Sequence, residues 1–306
     1  MVVFFGAVVP RYDVDFRKAV DLAVDFEGLG FSSLWFTDHL QRRGASRLLE
    51  TWTLLSALAP VTDVRLGTVV LCSCYRHPSV LAKMAATLDV VSGGRLELGL
   101  GTGSESQNEE LGALGLEVWR SGERIERFRE YVEVVRLLMK DEGVVDFSGR
   151  FYKLSKAVCN TPSVQKPSPP IWVGGRRRKM VEAAAEIGDG WNFYGESVEE
   201  YRQIVKVYDE ACKKAGRRPA KSIFTNTVVY TSEEDRLEKI RKLGEFNSVE
   251  EALRKTFTLL YGKPDEVIEQ VGLLQSLGVG MLVLRDIDVD GSSLRVFARE
   301  VLPSFS

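Results

Sequence analysis

Eight short apolar runs, rich in β-branched and aromatic residues, recur along the chain at 2–9, 33–37, 65–72, 95–101, 171–173, 190–194, 222–230 and 280–285. Most are apolar throughout rather than alternating, which is the pattern of strands buried on both faces. The segments between them carry helical spacing. Ser197 and Glu200 form a capping box ahead of Tyr201, Ile204, Val205, Tyr208 and Cys212, which share one helical face. Ser121 caps a segment in which Ile125, Phe128, Val132, Val135 and Leu138 do the same. Pro78 suits the first turn of a helix that Gly93-Gly94 closes. Pro264 opens another, with Val267, Ile268, Val271 and Leu274 inward and Gly278 just beyond its end.

Eight strands alternating with helices predict an α/β protein, a (β/α)8 TIM barrel forming a single domain over 1–306. An open doubly wound sheet would want Gly-x-Gly-x-x-Gly after its first strand, where this chain has Val9-Pro10-Arg11-Tyr12-Asp13. Two stretches break the rhythm: 103–122 after the fourth run, and 141–170 before the fifth. They read as insertions on the barrel, because the fifth run resumes at once. The second contains Val145-Asp146-Phe147-Ser148-Gly149-Arg150-Phe151-Tyr152, which reads as a hairpin, and prolines at 162, 167, 169 and 170.

Charge and composition narrow the function. The 41 basic and 43 acidic residues leave a net charge of −2, without the basic excess that phosphate backbones select. No apolar run approaches the ~18 residues of a spanning helix. The run at 2–9 has no basic residue before it and no small-residue cleavage site after it, so it reads as a buried strand and not as a signal peptide. The four cysteines, Cys72, Cys74, Cys159 and Cys212, make no disulfide framework in a chain of this size. Cys72 and Cys74 lack the second pair or the histidines of a zinc site. The expectation is a cytoplasmic protein with reduced thiols and no metal, acting on a small molecule rather than on nucleic acid or a membrane.

Barrel enzymes place their chemistry at the C-terminal ends of the strands and in the loops that follow. Thr37-Asp38-His39 follows the second run, and His39 is one of two histidines in the chain, a group able to donate a hydrogen bond or move a proton near neutral pH. His77, ahead of Pro78, reads as structural. Gly99-Leu100-Gly101-Thr102-Gly103 closes the fourth run, where glycines admit a close-lying ligand. Val173-Gly174-Gly175-Arg176-Arg177-Arg178-Lys179 runs from a strand into a helix. Four cations in a first turn oppose the helix dipole, and an anion held by the N–H groups at Gly174 and Gly175 would resolve the conflict. The end of the third run, through Val69 and Val70 to Cys74, could floor a flat ring. Paired glycosidase carboxylates are not evident.

Together these segments resemble the bacterial-luciferase-like superfamily, specifically its branch that uses coenzyme F420. The matching stretches include Leu34-Trp35-Phe36-Thr37-Asp38-His39, Leu66-Gly67-Thr68-Val69-Val70, Tyr75-Arg76-His77-Pro78 and Val91-Ser92-Gly93-Gly94-Arg95. Further along stand Gly99-Leu100-Gly101-Thr102-Gly103, Phe147-Ser148-Gly149-Arg150-Phe151-Tyr152, Pro169-Pro170-Ile171-Trp172-Val173-Gly174-Gly175 and Gly262-Lys263-Pro264-Asp265-Glu266-Val267. The resemblance implies a deazaflavin or flavin ring in the barrel mouth, with its phosphate near Gly174, Gly175 and Arg176. It implies a non-prolyl cis peptide at Val69-Val70 behind the ring, coenzyme contacts at Asp38, Thr102 and Asn108, and His39 facing ring and substrate. Sugar-phosphate dehydrogenases of the branch carry a glutamate directly after Gly-Thr-Gly. Here Ser104 intervenes, and the candidate acids become Glu105 and Glu109. The reaction implied is hydride transfer between the deazaflavin C5 and a small organic substrate; an FMN-dependent monooxygenase is the alternative. A homodimer is implied as well, because the family packs barrel helices together and Phe147, Phe151 and Tyr152 would otherwise form an exposed patch.

Overall fold

In the computed structural model, which describes residues 2–42, 44–140, 142–244 and 246–305, the apolar runs become a closed ring of parallel strands. The first half of the chain gives β1 (Phe4–Val8), α1 (Phe16–Gly28), β2 (Ser33–Phe36), α2 (Thr51–Leu58), β3 (Arg65–Thr68), β4 (Leu71–Cys72), α3 (Pro78–Val91), β5 (Leu96–Gly101), α4 (Glu105–Ala113) and α5 (Arg124–Lys140). A hairpin follows, β6 (Val145–Ser148) and β7 (Lys153–Ala157). Then come β8 (Ile171–Gly174), α6 (Arg178–Ile187), β9 (Gly190–Phe193), α7 (Val198–Ala215), β10 (Ala220–Val229), α8 (Glu233–Leu243) and α9 (Val249–Lys255). The chain ends with β11 (Thr258–Gly262), α10 (Pro264–Ser276), β12 (Met281–Asp286) and α11 (Ser292–Glu300). β1 pairs with β2 and β12, β2 with β3, β3 and β4 with β5, and β5 with β8. β8 pairs with β9, β9 with β10, and β10 with β12, which closes the (β/α)8 barrel.

All eight predicted runs enter the ring, with two departures. The third does not stay one strand. β3 pairs Leu66 with Leu96, and β4 pairs Leu71 with Leu100, so five steps on one strand (66 to 71) face four on the other (96 to 100). The extra residue makes a bulge at Val69-Val70, whose peptide bond is cis. The second departure is an added strand. β11 pairs with β10 from Asn226 to Val229, past the point where β9 stops at Ile223. Its sequence sits between two helical segments without a turn residue ahead of it, so periodicity alone does not separate it.

Two packing layers hold the barrel. The helices bury their apolar stripes against the outside of the ring, as Tyr201, Val205, Tyr208 and Cys212 of α7 do. Inside, Val8, Trp35, Val69, Trp172, Phe224 and Val283 fill the bore, with the Trp35 and Trp172 rings edge to face at 6.2 Å. The Trp172 indole N–H donates to Glu97 Oε2 at 2.6 Å, and Arg65 pairs with the same carboxylate. Burial pushes the Glu97 carboxyl up, and Arg65 opposes that. This apolar plug is the floor on which the mouth of the barrel rests.

Both insertions are structured. The first contains α4, which is capped by Ser104 and Gln107. α5 begins at Arg124, not directly after Ser121, because residues 121–123 form a turn. The hairpin of the second insertion folds back on α5, where Glu130 accepts the N–H groups of Arg150 and Phe151 at 2.8 Å and of Tyr152 at 3.2 Å. Phe147 and Phe151 are half-buried, and Tyr152 is buried edge-on to Tyr131 and His77. The exposed patch that argued for a homodimer is therefore absent from these three residues. Asp141, where that insertion was placed to begin, lies outside the described residues.

Candidate active site

The C-terminal strand ends surround a cavity of about 400 Å³ lined by Tyr12, His39, Gln41, Arg42, Glu109, Glu110 and Arg285. It sits where the barrel argument places chemistry. His39 leaves β2 with its side chain 31% exposed, and its Nδ1 lies 3.0 Å from Glu110 Oε2. Its main-chain carbonyl accepts Arg11 Nη1 at 3.0 Å, and the same guanidinium group reaches Leu49 O at 2.9 Å. The loop carrying the imidazole is thus pinned from below.

Glu110, buried in α4, also accepts the backbone N–H groups of Leu40 and Gln41, the latter at 2.8 Å. Sequence reasoning passed over it for Glu105 and Glu109. The signal was available as helical spacing: Gln107, Glu110 and Leu111 are the buried face of α4. Glu109 is exposed at the rim of the cavity; the Glu105 side chain lies outside the described residues.

Asp38 does not reach the mouth. Its carboxylate is fully buried, accepting Cys72 N–H at 3.0 Å and Arg76 Nη1 at 2.9 Å, while its carbonyl accepts Gln107 Nε2 at 2.8 Å. Arg76 continues to Glu50 Oε1 at 2.6 Å. Asp38 therefore ties the ends of β2 and β4 to α4 next to His39. His77 is structural as predicted: its Nδ1 accepts Ser79 N–H at 3.3 Å at the start of α3.

The bulge at Val69-Val70 explains the glycines around it. A Cβ at Gly99 would stand 1.8 Å from the Thr68 carbonyl oxygen, and one at Gly101 or Gly174 would meet Val70 methyls at 2.7 and 2.8 Å. Thr68 Oγ1 bridges to both the carbonyl and the N–H of Gly99 at 2.9 Å. The Gly99-Gly101 pair thus makes room for Val70, where the sequence suggested room for a ligand. Val69 is buried in the bore cluster, at the end of the strand next to the one that leads to His39.

The basic run is not one helical turn. α6 starts at Arg178, so Arg176 and Arg177 precede it, and the N-cap Arg177 makes no side-chain capping bond. Gly175 N–H is spent on Asn192 O at 3.1 Å, and a Cβ there would meet Met180 Cγ at 2.4 Å. The Gly175 N–H is therefore already engaged within the protein. Arg176 turns to Glu196 and Glu200 at 3.3 and 3.4 Å and lies over the Phe257 ring. Arg178 pairs along the helix with Glu182 at 2.9 Å. Asn108 accepts Arg124 Nη2 at 3.1 Å, facing α5, and Thr102 is half-buried with its carbonyl 3.8 Å from Cys74 Sγ.

The opposite wall was not foreseen. Tyr194 stacks on Phe224 at 5.6 Å and packs against Phe257 at 4.2 Å. Arg285 lies over Phe224 and donates from Nε to Asn226 Oδ1 at 2.6 Å. Burial pulls the Arg285 guanidinium below its usual range, with Tyr12 and Tyr194 opposing and Arg42 adding to the fall. Phe224 and Asn226 belong to β10 and Arg285 to β12, while Tyr194 directly follows β9 and Phe257 directly precedes β11, so only barrel closure joins them.

The C-terminal end of the barrel gathers four features. They are an apolar bulge above the filled bore, a cluster of aromatic rings around Tyr194 and Phe224, the carboxylate-held imidazole of His39, and the start of α6, whose N-cap makes no side-chain capping bond. Known proteins agree with that geometry. Residues 1–244 match the family described as luciferase-like monooxygenase. An F420-dependent glucose-6-phosphate dehydrogenase from Microbacterium testaceum is 30% identical over 94% of this chain and 93% of its own. A 5,10-methylenetetrahydromethanopterin reductase from Archaeoglobus fulgidus is 27% identical over 90% of this chain and 92% of its own. Among solved structures, an F420-dependent secondary alcohol dehydrogenase in complex with an F420-acetone adduct superposes with a TM-score of 0.86 at 19% identity, covering 100% of both chains. A parallel eight-stranded barrel, a glycine-cradled bulge at Val69-Val70 and a family match over four-fifths of the length lead to one assignment: the chain belongs to the luciferase-like monooxygenase family.

Proposed function

We propose that this protein is a coenzyme F420-dependent oxidoreductase that moves hydride between the deazaflavin C5 and a small organic substrate, an alcohol or its carbonyl. The observation that carries the reading is the mouth itself: a carboxylate-held imidazole lining a cavity at the C-terminal strand ends, with an apolar bulge at the end of the neighbouring strand. Relatives that use F420 align over nine-tenths of the chain, which supports it. When bound, the coenzyme supplies the hydride acceptor or donor. Val69 and Val70 back the ring, and the Trp35 and Trp172 plug keeps water from below. The first turn of α6 and the cations beside it hold the coenzyme's anionic part. His39 takes the proton of the substrate hydroxyl as the carbon is oxidised, or returns it to the carbonyl oxygen in reverse. Incubation with oxidised F420 and a panel of small secondary alcohols and aldehydes tests the reaction. Loss of the oxidised-deazaflavin absorbance with at least one alcohol is expected, and none across the panel opposes the reading.

The coenzyme's acidic tail should pass near Arg178, which is 70% exposed at the start of α6. Arg178→Glu is expected to weaken F420 binding about two- to fivefold at low salt and little at high salt, as an exposed and screened charge should. A tail-less deazaflavin should bind both forms alike. Equal loss for both ligands would place Arg178 at the phosphate instead.

A cytoplasmic location is the reading proposed, and four cysteines in the thiol form support it; among the described residues no helix is long and apolar enough to cross a membrane. It acts as a homodimer in this reading, with α3 as the contact. Val80 and Val91 lie on one face of that helix, 54% and 52% exposed, and a second copy would cover them. Sedimentation at micromolar protein should give twice the chain mass, and the single-chain mass would overturn this.

A further inference from the structure

The His39–Glu110 contact does more than anchor a loop. An ionised carboxylate can only accept hydrogen bonds. Glu110 is buried, with Oε1 engaged by the N–H groups of Leu40 and Gln41 and Oε2 by His39 Nδ1 at 3.0 Å. Each contact therefore brings a proton to the carboxylate, and the imidazole can supply one only if Nδ1 carries it. In the neutral ring this leaves Nε2 as a bare lone pair. The ring is partly exposed and lines the cavity, so the lone pair belongs to the side where a substrate would sit. Arg11 reinforces the arrangement by holding the His39 carbonyl at 3.0 Å.

We propose that Glu110 is the positioning residue of this site: it holds His39 as the Nδ1–H tautomer and so reserves Nε2 for the oxygen of the substrate. The proposal rests on the reading that His39 moves the substrate proton. In the oxidising direction the hydroxyl O–H bond breaks, with its proton passing to Nε2. The carbinol C–H bond breaks, with its electron pair leaving as hydride to the coenzyme, and the C=O bond forms. The imidazolium so created is balanced by the Glu110 carboxylate already at Nδ1. The opposite tautomer would present an N–H to the hydroxyl group and could not accept its proton.

The chain supplies its own reference. It has two histidines, and His77 Nδ1 accepts the Ser79 N–H, which places the His77 proton on Nε2. Imidazole nitrogen NMR of the wild type at about pH 8, above the ordinary imidazole range, should therefore show two rings in opposite tautomers. Glu110→Gln keeps an oxygen for the Leu40 and Gln41 N–H groups but turns a donor toward Nδ1. It should convert His39 to the Nε2–H form and leave the His77 signals in place. In the same variant kcat should fall by about 10²–10⁴-fold with KM nearly unchanged, as for other imidazoles held in the wrong tautomer. Glu110→Asp, which keeps a carboxylate, should recover part of that loss.

An Nε2–H or doubly protonated His39 ring in the wild type overturns the proposal, and that measurement needs no variant to fold. An Nδ1–H ring in Glu110→Gln with unaltered kcat also overturns it, leaving Glu110 a loop anchor. A wild type that shows the predicted tautomers yet never reduces F420 removes the hydride-transfer reading and leaves the tautomer assignment standing.

Discussion

His39→Ala is expected to lower turnover about 10²–10⁴-fold while leaving F420 affinity almost unchanged, the cost of removing a positioned proton acceptor. The separation of the two effects follows from geometry. In the proposed reading the ring would be backed by Val69 and Val70, and the anion donors would come from the start of α6. His39 projects from the wall instead, held by Glu110 and Arg11. The variant leaves the Glu110 contacts to Leu40 and Gln41 intact, so the loop should keep its course. The check is a pair of measurements on one preparation, equilibrium F420 binding and steady-state kcat. A parallel fall in both would make His39 a coenzyme contact and would take the proton transfer away from it.

Gly99→Ala should cost about 3 kcal/mol or more, because a Cβ there would stand 1.8 Å from the Thr68 carbonyl oxygen and backbone must move. At roughly 2–4 °C per kcal/mol for a chain of this class, the melting midpoint falls by about 6–12 °C. The same shift disturbs Val70, which packs into the space that Gly99, Gly101 and Gly174 leave open, so coenzyme binding should weaken with it. Gly112 in α4 is the control. Nothing lies within 4 Å of a Cβ built there, and alanine in a helix is favoured over glycine by roughly 0.5–1 kcal/mol. One chemical change at two sites should therefore give opposite signs, read by thermal unfolding of both variants. A Gly99→Ala protein that melts with the wild type would show that the bulge is not packed as described.

How far the sequence carries the structure depends on how local each feature is. The barrel is legible because strands buried on both faces are mostly apolar, and every ring strand except the broken third run stays in one piece. The break at Val69-Val70 has no composition signal, since both residues suit an ordinary strand. It was expected only through family resemblance, and its counterpart, the glycines of β5 and β8, looked like a ligand approach. The protein partners of Asp38 and Arg176 were not legible in the sequence, for a shared reason. Each is a charged residue at a strand end, and whether it faces a ligand or the protein depends on partners distant in sequence. Arg76 lies 38 residues beyond Asp38, and Glu196 lies 20 residues beyond Arg176. Glu110 shows the converse. Its helical face was readable, but its meaning appears only when α4 packs beside the end of β2.

The family description names monooxygenases, and a relative aligned over 94% of the chain is an F420-dependent glucose-6-phosphate dehydrogenase. A flavin and a deazaflavin of similar outline would both fit an apolar floor, and the reactions they support differ because the carbon at C5 of the deazaflavin favours hydride transfer over oxygen chemistry. Identity of the coenzyme is therefore the claim on which the rest depends. Side-by-side fluorescence titration of the purified protein with oxidised F420 and with FMN tests it most directly. The account predicts saturable F420 binding in the micromolar range or tighter and FMN binding at least about tenfold weaker, a difference of about 1.4 kcal/mol. Micromolar FMN binding with no binding of F420 would contradict it.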